Sequence, residues 1–79
     1  MIHDTAENII RLAAAHVASG TPADRVCIVL PTGTRWGAHD EELRAAGLAT
    51  AAIASPDNDA QRDEIIRALA TGSTLEVFY

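Results

Sequence analysis

The heptapeptide Pro31-Thr32-Gly33-Thr34-Arg35-Trp36-Gly37 holds the densest set of groups in this chain that could bind a ligand. Two hydroxyls, a guanidinium and two turn-permitting glycines could surround an anion. A loop leading from a buried strand into a helix is where parallel α/β sheets place such sites. The Walker pattern requires a glycine, four residues, then Gly-Lys-Ser/Thr. No lysine occurs anywhere in the sequence, and Asp40, Glu41 and Glu42 open the helix that follows, where they repel phosphate. A glycine-permitted turn is the expected role of this loop. A weak anion or small-ligand site using Thr32, Thr34 and Arg35 is the alternative.

Trp36 is the only tryptophan and lies beside Arg35. It either plugs the end of a small core or stands exposed as an anchor, since tryptophan and arginine are enriched at binding hot spots. Asp40, Glu41 and Glu42 would then rim a partner-binding patch, although acids in the first turn of a helix also complement its dipole. Asp57 and Asp59 follow the second strand, at the same sheet edge as Thr34. They could meet a cation, a ligand or a basic partner, and helix capping explains them equally well. His3, His16 and His39 fall on different segments without metal-ligand spacing, so no metal site is expected. Cys27 sits in the apolar run Val26-Cys27-Ile28-Val29-Leu30, which suits an inert core thiol rather than a nucleophile. No Ser or Cys has a His and a third orienting group at suggestive positions. Catalytic residues and cofactors are therefore expected to be absent.

Three helix-like runs, each leading into a strand-like run, must position these groups. The first helix begins at Asp4, with Glu7 three residues later as a carboxylate version of a capping box and Ile2 packed just outside. Ala6, Ile9, Ile10, Ala13 and Val17 form its apolar stripe, Glu7, Arg11 and Ser19 its polar face, and Gly20 with Pro22 its end. Val26 to Leu30 is continuously apolar, as for a strand buried on both faces of a parallel sheet. A short helix over about 38–46 closes at Gly47. Leu48 to Ala54 reads as the second strand. The third helix is capped either by Ser55 with Pro56 or by Asn58 with Gln61, buries Ile65, Ile66 and Leu69, and stops at Gly72. Thr74 to Tyr79 forms the last strand. Helical crossovers between short strands imply parallel pairing with right-handed connections. The expected fold is a small three-layer α/β/α domain over residues 1–79, with a three-stranded, mainly parallel sheet. Only the loops after Leu30 and Ala54 are then available for chemistry, because the third would lie beyond Tyr79.

Composition bounds the rest. Seventy-nine residues with one Trp, one Phe and one Tyr make a thin core, so stability is marginal and unpaired sheet edges would gain from a second copy of the chain. The net charge is −5, with every basic residue an arginine. An acidic chain without a basic cluster argues against direct nucleic-acid binding and fits either a basic protein partner or simple solubility. No segment is long enough to span a membrane and no signal-peptide pattern opens the chain. The lone cysteine suits a reducing compartment, so a cytoplasmic location is expected.

Several pieces resemble the opening half of the second RecA-like domain of superfamily 2 helicases. They are Ile28-Val29-Leu30 with Thr34-Arg35, then Leu43-Arg44-Ala45-Ala46-Gly47 leading into Ala51-Ala52-Ile53, and last the helix from Gln61-Arg62 to Leu69 followed by Gly72 and the closing strand. The resemblance covers nearly the whole chain on motifs of moderate specificity. It implies a RecA-like scaffold without motor activity, since the phosphate-binding companion domain and the arginine-finger segments are not in this sequence.

Together these readings favour a non-enzymatic protein that binds a basic protein partner through Arg35, Trp36, Asp40, Glu41 and Glu42. In type, though not in motif, it is similar to the small inhibitors encoded by phages and mobile elements, such as anti-CRISPR proteins, which block nucleic-acid machines. The alternatives are a small-ligand or enzymatic domain using Thr32, Thr34 and Asp57, and a helicase-derived accessory module.

Overall fold

A computed structural model describes residues 5–72 and 74–79. The first helix, α1, runs Ala6–Ala18, and strand β1 is Val26–Val29. A 3-10 turn at Trp36–His39 leads into α2, Asp40–Ala45. Strand β2 is Ala52–Ala54, α3 is Asp59–Gly72, and β3 is Glu76–Phe78. The sheet is wholly parallel in the order β2-β1-β3, so the expected α/β fold and its parallel pairing are present. Cys27 lies level with Ala52 on one side and Val77 on the other.

This order fixes the layers. The chain steps from β1 outward to β2, then back across β1 to β3. Right-handed crossovers therefore carry α2 and α3 over opposite faces. Packing agrees: Leu43 of α2 joins Ile9, Ile10 and Ala13 of α1 in one cluster with Val26, Ile28 and Leu30. Alternate side chains of a strand point to opposite faces, so Cys27 and Val29 turn toward α3, which lies over β1 and β3. All of β1 is buried, as its unbroken hydrophobicity predicts.

Two strands are trimmed relative to the sequence reading, β1 ending at Val29 and β3 covering only Glu76–Phe78, and three further boundaries differ for a local reason. Asp4 and Ile2, expected to cap and staple α1, lie outside the described residues, and the cap is Thr5, whose Oγ1 accepts from the Asn8 N–H at 3.3 Å. The short helix begins as a 3-10 turn, so the α-helical part covers only Asp40–Ala45. The second strand loses its first four residues to the end of α2. There the Leu48 N–H bonds to Leu43 O at 2.9 Å and the Gly47 N–H to Arg44 O at 3.1 Å. This pair of bonds is a Schellman motif, and it needs the positive φ of +78° that Gly47 supplies. Leu48 and Leu43 are both buried in the core, so Leu48 is an apolar plug rather than a strand residue.

Candidate functional site

Both loops anticipated from the sequence lie at the carboxyl edge of the sheet, and they are stitched together. Pro31-Thr32-Gly33-Thr34 forms a turn closed by the Thr34 N–H on Pro31 O at 3.0 Å, with Gly33 at a φ of +81°. Positive φ at the third position marks a type II turn and explains a glycine there. Gly33 then donates its N–H across to Pro56 O at 3.1 Å. Thr32 Oγ1 donates to Asp59 Oδ1 at 2.7 Å, tying the first loop to the start of α3. Of the two caps considered for α3, the structure uses the second: the Gln61 N–H bonds to Asn58 Oδ1 at 2.8 Å. Gln61 Oε1 accepts from the Asp57 N–H at 2.6 Å, one residue before the capping residue.

These ties leave an open cleft of about 470 Å³ between the loops, lined by Gly33, Thr34, Arg35, Gly37, Ser55, Pro56 and Asp57. Thr34, Arg35 and Asp57 are thus brought together. Thr32 is not among the lining residues, and its hydroxyl is engaged with Asp59. Ser55 and Pro56 were read from the sequence only as a helix start. Their position directly after the second strand was the signal that could have placed them at the cleft. Pro56 is buried, whereas Gly33, Arg35, Gly37, Ser55 and Asp57 are exposed.

The acidic segment lies immediately beyond Gly37. Asp40 Oδ2 pairs with Arg44 Nε at 3.1 Å, and His39 Nδ1 meets Glu42 Oε2 at 3.0 Å. Both are neighbouring-turn pairs on the surface, which contribute little to stability. Asp40 lines a separate groove of about 240 Å³ with Leu43, Leu48 and Ile53 rather than the cleft. Glu41 is exposed. The Trp36 backbone opens the 3-10 turn between cleft and acids; its side chain, on which the plug-or-anchor question rests, lies outside what the structure describes.

Among the described residues no group of three or more His, Cys, Asp and Glu side chains could hold a metal ion. Cys27 is buried, and burial pushes its thiol above the ordinary value of 9.0. No helix among the described residues is long and apolar enough to cross a membrane. Comparison of the chain with protein-family models, with curated proteins and with solved structures finds no match.

Proposed function

We propose that this chain acts by binding a protein partner that carries a basic surface, and that the contact runs from the cleft across Arg35 to Glu42. The observation that carries the reading is the exposure of the cleft walls. Pockets for small ligands bury most of the ligand's surface, and here five of the seven lining residues stand open to solvent. A cleft of that kind suits a side chain projecting from a larger body, which brings its own desolvating surroundings. Asp57 on one wall and Glu41 on the adjoining helix supply charge for arginine or lysine side chains, within a molecule of net charge −5. Long-range attraction would speed encounter, and a few buried anchors would set affinity. A partner that uses its basic surface to hold nucleic acid would be inhibited by competition.

The test is affinity capture with the tagged full chain from lysate of the source cells, read by mass spectrometry. A protein retained by the wild type and lost on Glu41→Arg with Asp57→Arg, or on Trp36→Ala, supports the reading. Thr34→Val should leave capture intact. The small-ligand alternative is favoured by one observation, the convergence of Thr34, Arg35, Ser55 and Asp57 on a single cleft. It predicts the reverse: no captured protein, and a saturable thermal shift with a nucleotide or inorganic phosphate that Thr34→Val abolishes. Capture of a helicase or nuclease would favour the accessory-module reading.

A further inference from the structure

We infer that β3 is a self-pairing edge, through which two copies of this chain join into one continuous sheet. This surface lies on the opposite side of the sheet from β2 and does not depend on the cleft. In the order β2-β1-β3, the outer side of β3 has no neighbouring strand among the described residues. Such an edge presents main-chain donors and acceptors that another strand can use.

Register shows which groups those are. The Leu30 N–H bonds to Ala54 O at 2.9 Å, so Val26, Ile28 and Leu30 direct their main-chain groups toward β2. Cys27 and Val29 therefore direct theirs toward β3. With Cys27 level with Val77, the β3 groups they engage belong to Glu76 and Phe78. Val77 is left with its N–H and C=O pointing outward. An antiparallel pair with a twofold axis between two copies of Val77 is then a hydrogen-bonded pair, in which each N–H meets the other C=O.

The side chains around that axis are self-complementary. Leu75, Val77 and Tyr79 share one face of β3 by alternation, and the pairing sets Leu75 opposite Tyr79 of the second copy with the two Val77 side chains adjacent. Tyr79 is 52% exposed and Leu12 51%, the two exposed large apolar side chains among the described residues. Tyr79 directly follows β3, and Leu12 is on α1, which packs against β3. His16, one helical turn beyond Leu12, has its ring 4.8 Å from that of Phe78. Glu76 shares the Phe78 face and falls opposite Phe78 of the second copy, beside that copy's His16. The twofold pairing thus avoids a Glu76–Glu76 clash and forms two His16–Glu76 contacts. This self-complementarity of the apolar row and of Glu76 with His16 assigns the edge to a second copy.

Sedimentation equilibrium of the full chain from micromolar to millimolar concentration tests this, with amide exchange at Val77 as a second reading. The expected result is a concentration-dependent dimer in which Val77 exchange slows. Val77→Pro removes an N–H that the register turns away from β1, and should weaken the dimer at least about tenfold. Glu76→Arg should also weaken it, and His16→Asp combined with Glu76→Arg should restore it, which covers the case in which the proline variant fails to fold. A monomer at every concentration overturns the inference. So does a dimer indifferent to Glu76→Arg and its compensating partner, or one without protection at Val77.

Discussion

The two faces of the sheet are built to different standards. Over the α1 side, Ile9, Ala13, Val26, Ile28 and Leu30 lose all contact with solvent, and Leu43 and Leu48 nearly so. Over the α3 side, no residue of the helix is buried. Ile65, Ile66 and Leu69 are only partly buried, and Ala52 of β2 is open to solvent. The Nε of Arg62 is shut away from water on this helix without a hydrogen-bond partner. Full burial of an aliphatic side chain stabilises by roughly 1.5–3 kcal/mol, and half-burial by correspondingly less. One face therefore holds the fold, while the other is a cover that buries β1 at the sheet's centre.

Breaking the strong face should have the largest effect. Ile28→Ala leaves a cavity beneath α1 and should cost about 3 kcal/mol in urea unfolding; a loss below about 1 kcal/mol would mean that the core is not centred there. Ile66→Ala on the cover should cost only about 1 kcal/mol, and equal losses at the two positions would erase the contrast. Arg62→Met removes the desolvated N–H, and should leave stability unchanged or raise it by up to about 1 kcal/mol. A clear loss would show that Arg62 makes a stabilising contact in solution.

The smallest effect concerns Cys27, which faces the cover. Burial raises its thiol above the ordinary 9.0 in the folded chain. Above that pH the unfolded chain has released a proton that the native chain retains, so stability is complete below about pH 9 and falls as pH rises beyond it. In paired unfolding curves at pH 8 and pH 10, Cys27→Ala should show less of this alkaline decline than the wild type. Identical declines would mean that the thiol is solvated through a mobile α3.

The strong face was also the more legible in sequence. The 3.6-residue spacing of Ala6, Ile9, Ile10 and Ala13 identifies buried positions directly, because a packed helix must bring such a stripe to one side. The run from Val26 to Leu30 likewise marks a central strand. The α3 stripe of Ile65, Ile66 and Leu69 has the same pattern, yet periodicity says which way a side chain points and not how closely its neighbour approaches. Leu48 misled for a related reason. Its apolar character fits a strand or a plug equally, and the hydrogen bond back to Leu43 decides between them.

At the carboxyl edge, the sequence placed Thr34, Arg35 and Asp57 in loops that α/β topology brings to one side. It could not distinguish Thr34 at the cleft from Thr32 on Asp59, because that depends on which hydroxyl a type II turn aims at a residue far along the chain. Element order, helix ends and the parallel sheet were thus set by local chemistry: glycines with positive φ, caps within four residues, and the period of the apolar positions. The strand order, the unequal covering of the two faces and the cleft between the loops were decided in three dimensions. They arise from contacts between segments distant in sequence, whose closeness no local pattern encodes.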